Sequence, residues 1–328
     1  MTMYDVVGLG NAIVDVISPA DDSFLLNHHI AKGVMTLIDE GRAEQLCRAV
    51  ADPQEIAGGS AANTMSGLAS FGAKAVFVGR VKADRLGESF QRSLRALGVE
   101  YFVEPASAGL PTACCLIVVT PDGHRSMNTF LGASREIGPE DIDERVIAAA
   151  QILYVEGYLW DTPDAKSAIA NAIAVAKRAR RRVAFTLSDP FCVARWRGEF
   201  RALMAHLDIL FANEEEAKAL FESDDLDRVV QALRLWTGIA VVTRSEKGCV
   251  VVRGDETHVL DAVPVTDVLD TTGAGDQFAA GFLYGLTHGK GLAQSGRLGS
   301  LAAAEVLSHY GARPETSLRA LASKQGLL

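Results

Sequence analysis

Apolar residues in the second half of this chain come in short uninterrupted runs separated by longer stretches of helical spacing. Ile152-Leu-Tyr-Val155, Val183-Ala-Phe-Thr-Leu187 and Asp208-Ile-Leu-Phe-Ala212 are strand-like, and residues 165–181 and 196–206 between them are helix-like. Apolar strands alternating with helices predict a mostly parallel central sheet covered on both faces, a three-layer αβα domain of the α/β class. Ligands of such a sheet gather beyond the C-terminal ends of its strands. The first half of the chain has a different texture. Residues 5–16 and 113–130 read as strands joined by Gly, Pro and Asp turns, with residues 35–38 a further piece. These segments predict a small β-sheet that projects from the main domain as a lid.

The expected organisation is a single domain over residues 1–328, with lid insertions at about 12–38 and 99–131. The αβα core comes from the rest, mainly 40–98 and 132–328. Repeats, low-complexity tracts and long polar linkers are absent from the sequence, so the lid is an insertion and not a separate unit.

Net charge narrows the partners. At −9 the chain is a poor general binder of nucleic acid or anionic membrane, so any polyanion must be met locally. The one basic cluster, Lys177-Arg178-Ala-Arg180-Arg181-Arg182, ends an alanine-rich helix, where cations complement the helix dipole. Five cysteines without a C-x-x-C pair suit a reducing compartment and argue against a zinc site. The long uncharged stretches are broken by Gly, Ser, Asn, Thr or Pro, and no basic leader precedes Tyr4. The expected setting is cytoplasmic, with no membrane partner and a monomer or homodimer as the assembly.

Chemistry concentrates near the C-terminus in Asp270-Thr-Thr-Gly-Ala-Gly-Asp276-Gln-Phe-Ala-Ala-Gly281. Gly273, Ala274 and Gly275 place almost no side chain between backbone and ligand, so their N–H groups and the following helix N-terminus can face an anion. A carboxylate inside an anion cradle is misplaced as a phosphate ligand. Asp276 makes sense there as a proton acceptor. A second glycine-rich turn, Gly58-Gly-Ser-Ala-Ala-Asn63, leads into a helix, with Ser60 as candidate N-cap and Asn63 able both to donate and to accept toward a sugar hydroxyl.

The N-terminal Gly8-Leu-Gly10-Asn11-Ala-Ile13 has Ile13 where a dinucleotide fingerprint needs its third glycine, and no Walker-type phosphate loop is present. On a continuous strand Asn11 and Asp15 share one face, and the Asp15 carboxylate suits a vicinal diol such as ribose. Asn213-Glu-Glu-Glu216, just past a strand-like run, reads by itself as an ordinary helix start, since acids favour that position.

In order along the chain, these segments resemble the ribokinase-like (PfkB) carbohydrate kinases: Gly58 to Asn63 the family's first signature, residues 270–276 its second, and Asn213 to Glu216 its N-x-x-E element. Within that family, Gly10-Asn-Ala-Ile-Val-Asp15 and Asp122-Gly-His-Arg125-Ser-Met-Asn-Thr-Phe-Leu131 look most like the adenosine kinases. The resemblance implies ATP-dependent phosphoryl transfer to the ribose 5′-hydroxyl of adenosine, with Asp276 as base and Gly273, Ala274 and Gly275 as anion hole. It implies substrate contacts by Asn11, Asp15, Gly58, Gly59 and Asn63, and an Arg125 that reaches from the lid toward the phosphoryl group. Thr243 and Gly248 would line the ATP site with Asn213, Gly273 and Gly275. Ser308-His-Tyr-Gly-Ala-Arg313 resembles the loop near the nucleotide base, which adds His309 as a contact without acid–base work. ATP and Mg2+ are the implied cofactors, the Mg2+ held through water by Asn213 and Glu216, three apart on one helix face, with a monovalent cation such as K+ a further candidate. Phe24, Phe102, Phe130, Tyr158 and Trp160 are the aromatics considered for covering a purine, with core packing as their competing role. A kinase of a free sugar or another nucleoside, and a nucleoside-binding sensor without turnover, are the alternatives.

Overall fold

The computed structural model describes residues 3–51 and 53–328. Its main sheet has nine strands, and their order is set by the first of them. β1 (Tyr4–Leu9) lies between two later parallel strands. The chain then leaves for a second sheet through β2 (Ile13–Pro19), β3 (Met35–Leu37) and β4 (Gln54–Gly58). It returns as β5 (Ala75–Val78) and β6 (Glu100–Tyr101) on one side of β1, and leaves again through β7 (Ala113–Val119) and β8 (Arg125–Phe130). On the other side of β1 come β9 (Ala150–Glu156), β10 (Arg182–Thr186), β11 (Ile209–Asn213), β12 (Ile239–Thr243), β13 (Cys249–Arg253) and β14 (Glu256–Leu260). All neighbours from β6 to β12 run parallel, and only the β13 and β14 edge is antiparallel.

Alternation along each central strand feeds two cores. Val6, Ile152, Tyr154, Ile209 and Phe211 point into one, and Val7, Leu9, Leu153, Val155, Leu210 and Ala212 into the other. Successive side chains on a strand face opposite ways, so a run that is apolar at every position must be covered on both sides. The expected three-layer αβα arrangement is therefore present. The helix Pro163–Arg178 ends in the basic cluster, where Lys177 pairs with Asp208 and Arg178 with Glu144, as the structural reading of those charges anticipates.

The second sheet has the order β3-β8-β7-β2-β4. Two features differ from the sequence reading. First, residues 10–15 are not one continuous strand: β1 ends at Leu9 and β2 begins at Ile13 in the other sheet, and Gly10-Asn11-Ala12 carry the backbone from the core sheet to the lid sheet. Second, β4 joins the lid although residues 40–98 were expected in the core, and β6 joins the main sheet although residues 99–131 were expected in the lid. β4 carries no apolar run, and only its antiparallel pairing with β2 assigns it. Among the described residues no helix is long and apolar enough to cross a membrane.

Strands numbered after β1 run to either side of it, so the chain order reverses at the β1 and β9 pair. Such a switch point opens a crevice at the carboxyl ends of the strands.

Candidate active site

Glu156 closes β9 at that crevice and is 1 % exposed. Its Oε1 accepts from both the backbone N–H and the side-chain amide of Asn11, each at 2.8 Å, and its Oε2 accepts from the Ala61 N–H at 2.7 Å. One carboxylate thus ties the turn that follows β1 to the start of the helix Ser60–Phe71. Burial raises its pKa to about 6, tempered by the bonds from Asn11 and Ala61. Asn11 consequently lies in the turn, not on a strand face with Asp15, and its amide nitrogen is committed to Glu156. Glu156 escaped the sequence reading because its partners are 145 and 95 residues away.

Gly59 precedes the helix Ser60–Phe71 with φ 94°, and a Cβ there would meet the Asn11 carbonyl oxygen at 2.3 Å. Only glycine accommodates both conditions. Because Gly59 occupies the N-cap position, Ser60 is not the cap that its sequence position suggests. Its hydroxyl instead donates to Asp276 Oδ1 at 2.6 Å, and Asn63 Nδ2 donates to Asp276 Oδ2 at 3.1 Å.

Asp276 belongs to the first turn of the helix Ala274–Thr287, so two helix N-termini converge on it. Its carboxyl is half-buried. Burial pushes its pKa up to about 7; Ser60 and Asn63 pull it down, and the charges of Glu156 and Glu216 push it further up. Gly273 caps the helix in the left-handed conformation at φ 79°, against Ala312. At Gly275 an added Cβ would touch nothing within 4 Å, so the space over this N-terminus is open. A carboxylate that ionises near neutrality, beside an open helix N-terminus, is equipped to take a proton from a hydroxyl whose attack target is an anion.

Asp15 lies on β2 close against Gly58, where a Cβ would approach its Oδ2 to 2.4 Å. Burial raises its pKa to about 6, offset by the charges of Arg313 and Arg125. Arg125 opens β8 in the lid sheet and pairs through Nη1 with Asp270 Oδ2. Asp270 also accepts from the Thr272 N–H and hydroxyl and from the Gly311 N–H, which hold its carboxyl below its ordinary pKa despite burial. Arg125 is therefore close to the crevice, joined to the head of the segment that carries Asp276.

Asn213 and Glu216 occupy the N-cap and N3 positions of the helix Glu214–Phe221 and form a reciprocal capping box: Asn213 N–H and Nδ2 donate to Glu216, and Glu216 N–H donates to Asn213 Oδ1. Burial raises the Glu216 pKa to about 7, with the Asp189 charge adding to it. The pair's first duty is to the helix. Among the described residues no group of three or more His, Cys, Asp or Glu is placed to hold a metal. Thr243 ends β12 beside Asn213 in register. Gly248, at φ 78°, lies under the Leu260 carbonyl, so the turn itself demands glycine there. His309 is engaged with Glu305 at 3.2 Å; burial works to lower its pKa, but the contacts with Glu305 and the Tyr310 carbonyl and the charges of Glu305 and Glu315 together raise it.

The aromatics separate clearly. Trp160 packs on Phe185 and Phe200 in the core, Phe130 is buried, Phe24 packs on His28, and Phe102 lies against Tyr4. Tyr158 is 40 % exposed, and its hydroxyl is within reach of the charges of Asp189, Asp276 and Glu216.

The model of the pfkB family of carbohydrate kinases matches residues 34–318. A probable sugar kinase protein from Rhizobium etli CFN 42 superposes with a TM-score of 0.92 at 48 % identity, over 100 % of both chains. The adenosine kinase of Sinorhizobium meliloti superposes with a TM-score of 0.90 at 48 % identity, over 98 % of this chain and 99 % of that one. The adenosine kinase of Saccharomyces cerevisiae is 28 % identical over 330 residues, 93 % of this chain and 95 % of its own.

Proposed function

This chain belongs to the pfkB family of carbohydrate kinases and is an ATP-dependent sugar or nucleoside kinase, and from that premise we propose that it transfers the γ-phosphoryl group of ATP to the 5′-hydroxyl of adenosine, giving AMP and ADP. The observation that carries the reading is Asp276: a carboxylate with pKa about 7, oriented by Ser60 and Asn63, at the mouth of the open N-terminus around Gly275. Asp276 takes the proton of the attacking hydroxyl. The N–H groups of Gly273 and Gly275 face the charge on the transferred group, and each such donor is worth about 2.7–4 kcal/mol in the transition state; the Ala274 N–H already donates to the Thr271 carbonyl at 3.3 Å. Asp15 holds the ribose diol, with Asn11 and the Gly58 and Gly59 turn shaping its pocket.

For Mg2+, which sheds its hydration reluctantly, the donor set fits an outer role only. The Glu216 oxygens already accept from Asn213, and each keeps a second lone pair for a metal-bound water. Bound there, the ion neutralises charge on the ATP phosphates.

Similarity to the two bacterial proteins is equal in identity, and one of them bears a sugar-kinase description, which favours a free sugar as the second reading. Turnover of adenosine, inosine, ribose and fructose with ATP, with the product identified by 31P NMR, separates the two. We expect AMP from adenosine; phosphorylation of ribose with none of adenosine overturns the nucleoside reading.

A further inference from the structure

Arg313 lies in the connection between the helices Leu292–Leu307 and Leu318–Lys324, in a segment whose nearest motif gives arginine no role. Its Nε donates to Asn63 Oδ1 and its Nη1 to Ser93 Oγ, both at 3.3 Å. Among the described residues Nη2 has no hydrogen-bond partner. Burial pushes the pKa down to about 10, with the Asp15 carboxylate as the offsetting charge. A cation so enclosed and incompletely partnered is expensive to keep, which directs attention to what it touches.

What it touches is the amide that touches the base. A guanidinium has five donors and no acceptor, so only the carbonyl end of Asn63 can face it. The NH2 end is then left facing Asp276, where it donates to Oδ2 at 3.1 Å. We infer that Arg313 is a positioning residue for Asp276: it fixes the Asn63 amide one way round and so guarantees the carboxylate a hydrogen-bond donor. This rests on the reading of Asp276 as general base.

The consequence is electrostatic. Asp276 is faced by Glu156 from β9 and by Glu216 from the helix Glu214–Phe221, both of which disfavour its ionised form, and by the hydroxyls of Tyr154 and Tyr158. Against these stand Ser60 and Asn63. An Asn63 amide free to turn can present Oδ1 instead, which accepts from the protonated acid and favours the neutral form.

The test is the acidic limb of the kcat/KM pH profile, which reports the free enzyme's essential base. With Arg313→Met the limb moves up by about one pH unit, the usual worth of a lost carboxylate hydrogen bond. Arg313→Lys returns it toward the parent position, because an ammonium also only donates. In an Asn63→Ala background Arg313→Met moves the limb no further. An unmoved limb in Arg313→Met overturns the inference, as does an equal displacement in the Asn63→Ala background, which makes the cation act through its charge, on Asp15 or Asp276, and not through the amide. Thermal melts check folding; should the Met variant not fold, Arg313→Leu, which likewise neither donates nor accepts, takes its place with the same expected direction, and an unmoved limb there is equally decisive. Asp276→Asn is run alongside. If that variant keeps full turnover, the general-base reading fails; if it is inactive while the limb stays fixed in Arg313→Met, only the positioning role fails.

Discussion

Glu156 Oε1 receives two hydrogen bonds from a single residue, the backbone and the side chain of Asn11, at 2.8 Å each. With Ala61 bonded to the other oxygen, the carboxylate ties together the two turns proposed to contact the substrate. In Glu156→Gln an NH2 group must replace one of the oxygens and will face N–H donors. Each donor left bare costs about 1–3 kcal/mol. The variant should melt several degrees lower and show a raised KM for the nucleoside; an unchanged melting temperature and KM would mean that the clamp is dispensable.

Asp276→Asn keeps the shape of the site and removes the proton acceptor. Turnover should fall ~10²–10⁴-fold, the usual worth of a positioned base, while the nucleoside Kd measured by calorimetry stays close to the parent value. An unchanged kcat takes Asp276 out of the mechanism.

The pH dependence has opposite signs for activity and for stability. Asp276 and Glu216 ionise near 7 and Asp15 and Glu156 near 6, all raised chiefly by burial. As a base, Asp276 works only when ionised, so kcat/KM should rise through pH 7. A carboxylate raised in the fold contributes stability that is fully present below its ordinary pKa and is lost as pH rises through the folded value. Asp276→Asn cannot ionise and escapes that loss. Its melting temperature relative to the parent should therefore increase between about pH 5.5 and pH 8, and a constant difference would argue that the Asp276 pKa is ordinary.

Two glycines of one turn should behave differently. Gly273→Ala places a Cβ at φ 79° and 2.6 Å from Ala312 Cα, so it should lower the melting temperature. Gly275→Ala meets nothing within 4 Å and should leave stability intact. Its methyl nevertheless intrudes where the phosphoryl group must sit, and kcat should fall ~10²-fold, the effect of a small misplacement of reacting groups. Equal activity losses with equal destabilisation would place both glycines in a structural role alone.

Arg125 and Asp270 join the lid sheet to the core. Adenosine should slow amide hydrogen exchange over residues 113–130 as the lid closes on it. Arg125→Met should speed exchange there in the free protein while leaving the core helices protected, because Asp270 retains its bonds from Thr272 and Gly311. Exchange indifferent to both adenosine and the substitution counts against a moving lid.

What the sequence revealed is local. The apolar runs after residue 140, the glycine turns and the acid of residues 270–276 are each readable within a dozen positions, because strand period, helix capping and backbone access are short-range properties. Glu156, Arg313 and the lid membership of β4 were not readable, since each is defined by a partner far away in sequence: Asn11, Asn63 and β2. Asn213 and Glu216 are legible as a helix start, since acids favour the first turn, and the structure adds that the two side chains cap it reciprocally.

The passage from β1 to β2 takes only residues 10–12, and it carries the chain from the rigid sheet to the lid sheet. Asn11 is inside that passage and Asp15 just beyond it. If the lid moves and Asn11 and Asp15 contact the sugar as proposed, the strip of backbone that bends is also the strip that reads the sugar, and recognition and motion share one mechanical part. On that reading, substitutions in residues 10–15 that change which substrate is preferred should also change how fast the lid moves, so retargeting the enzyme at that strip means retuning its speed as well.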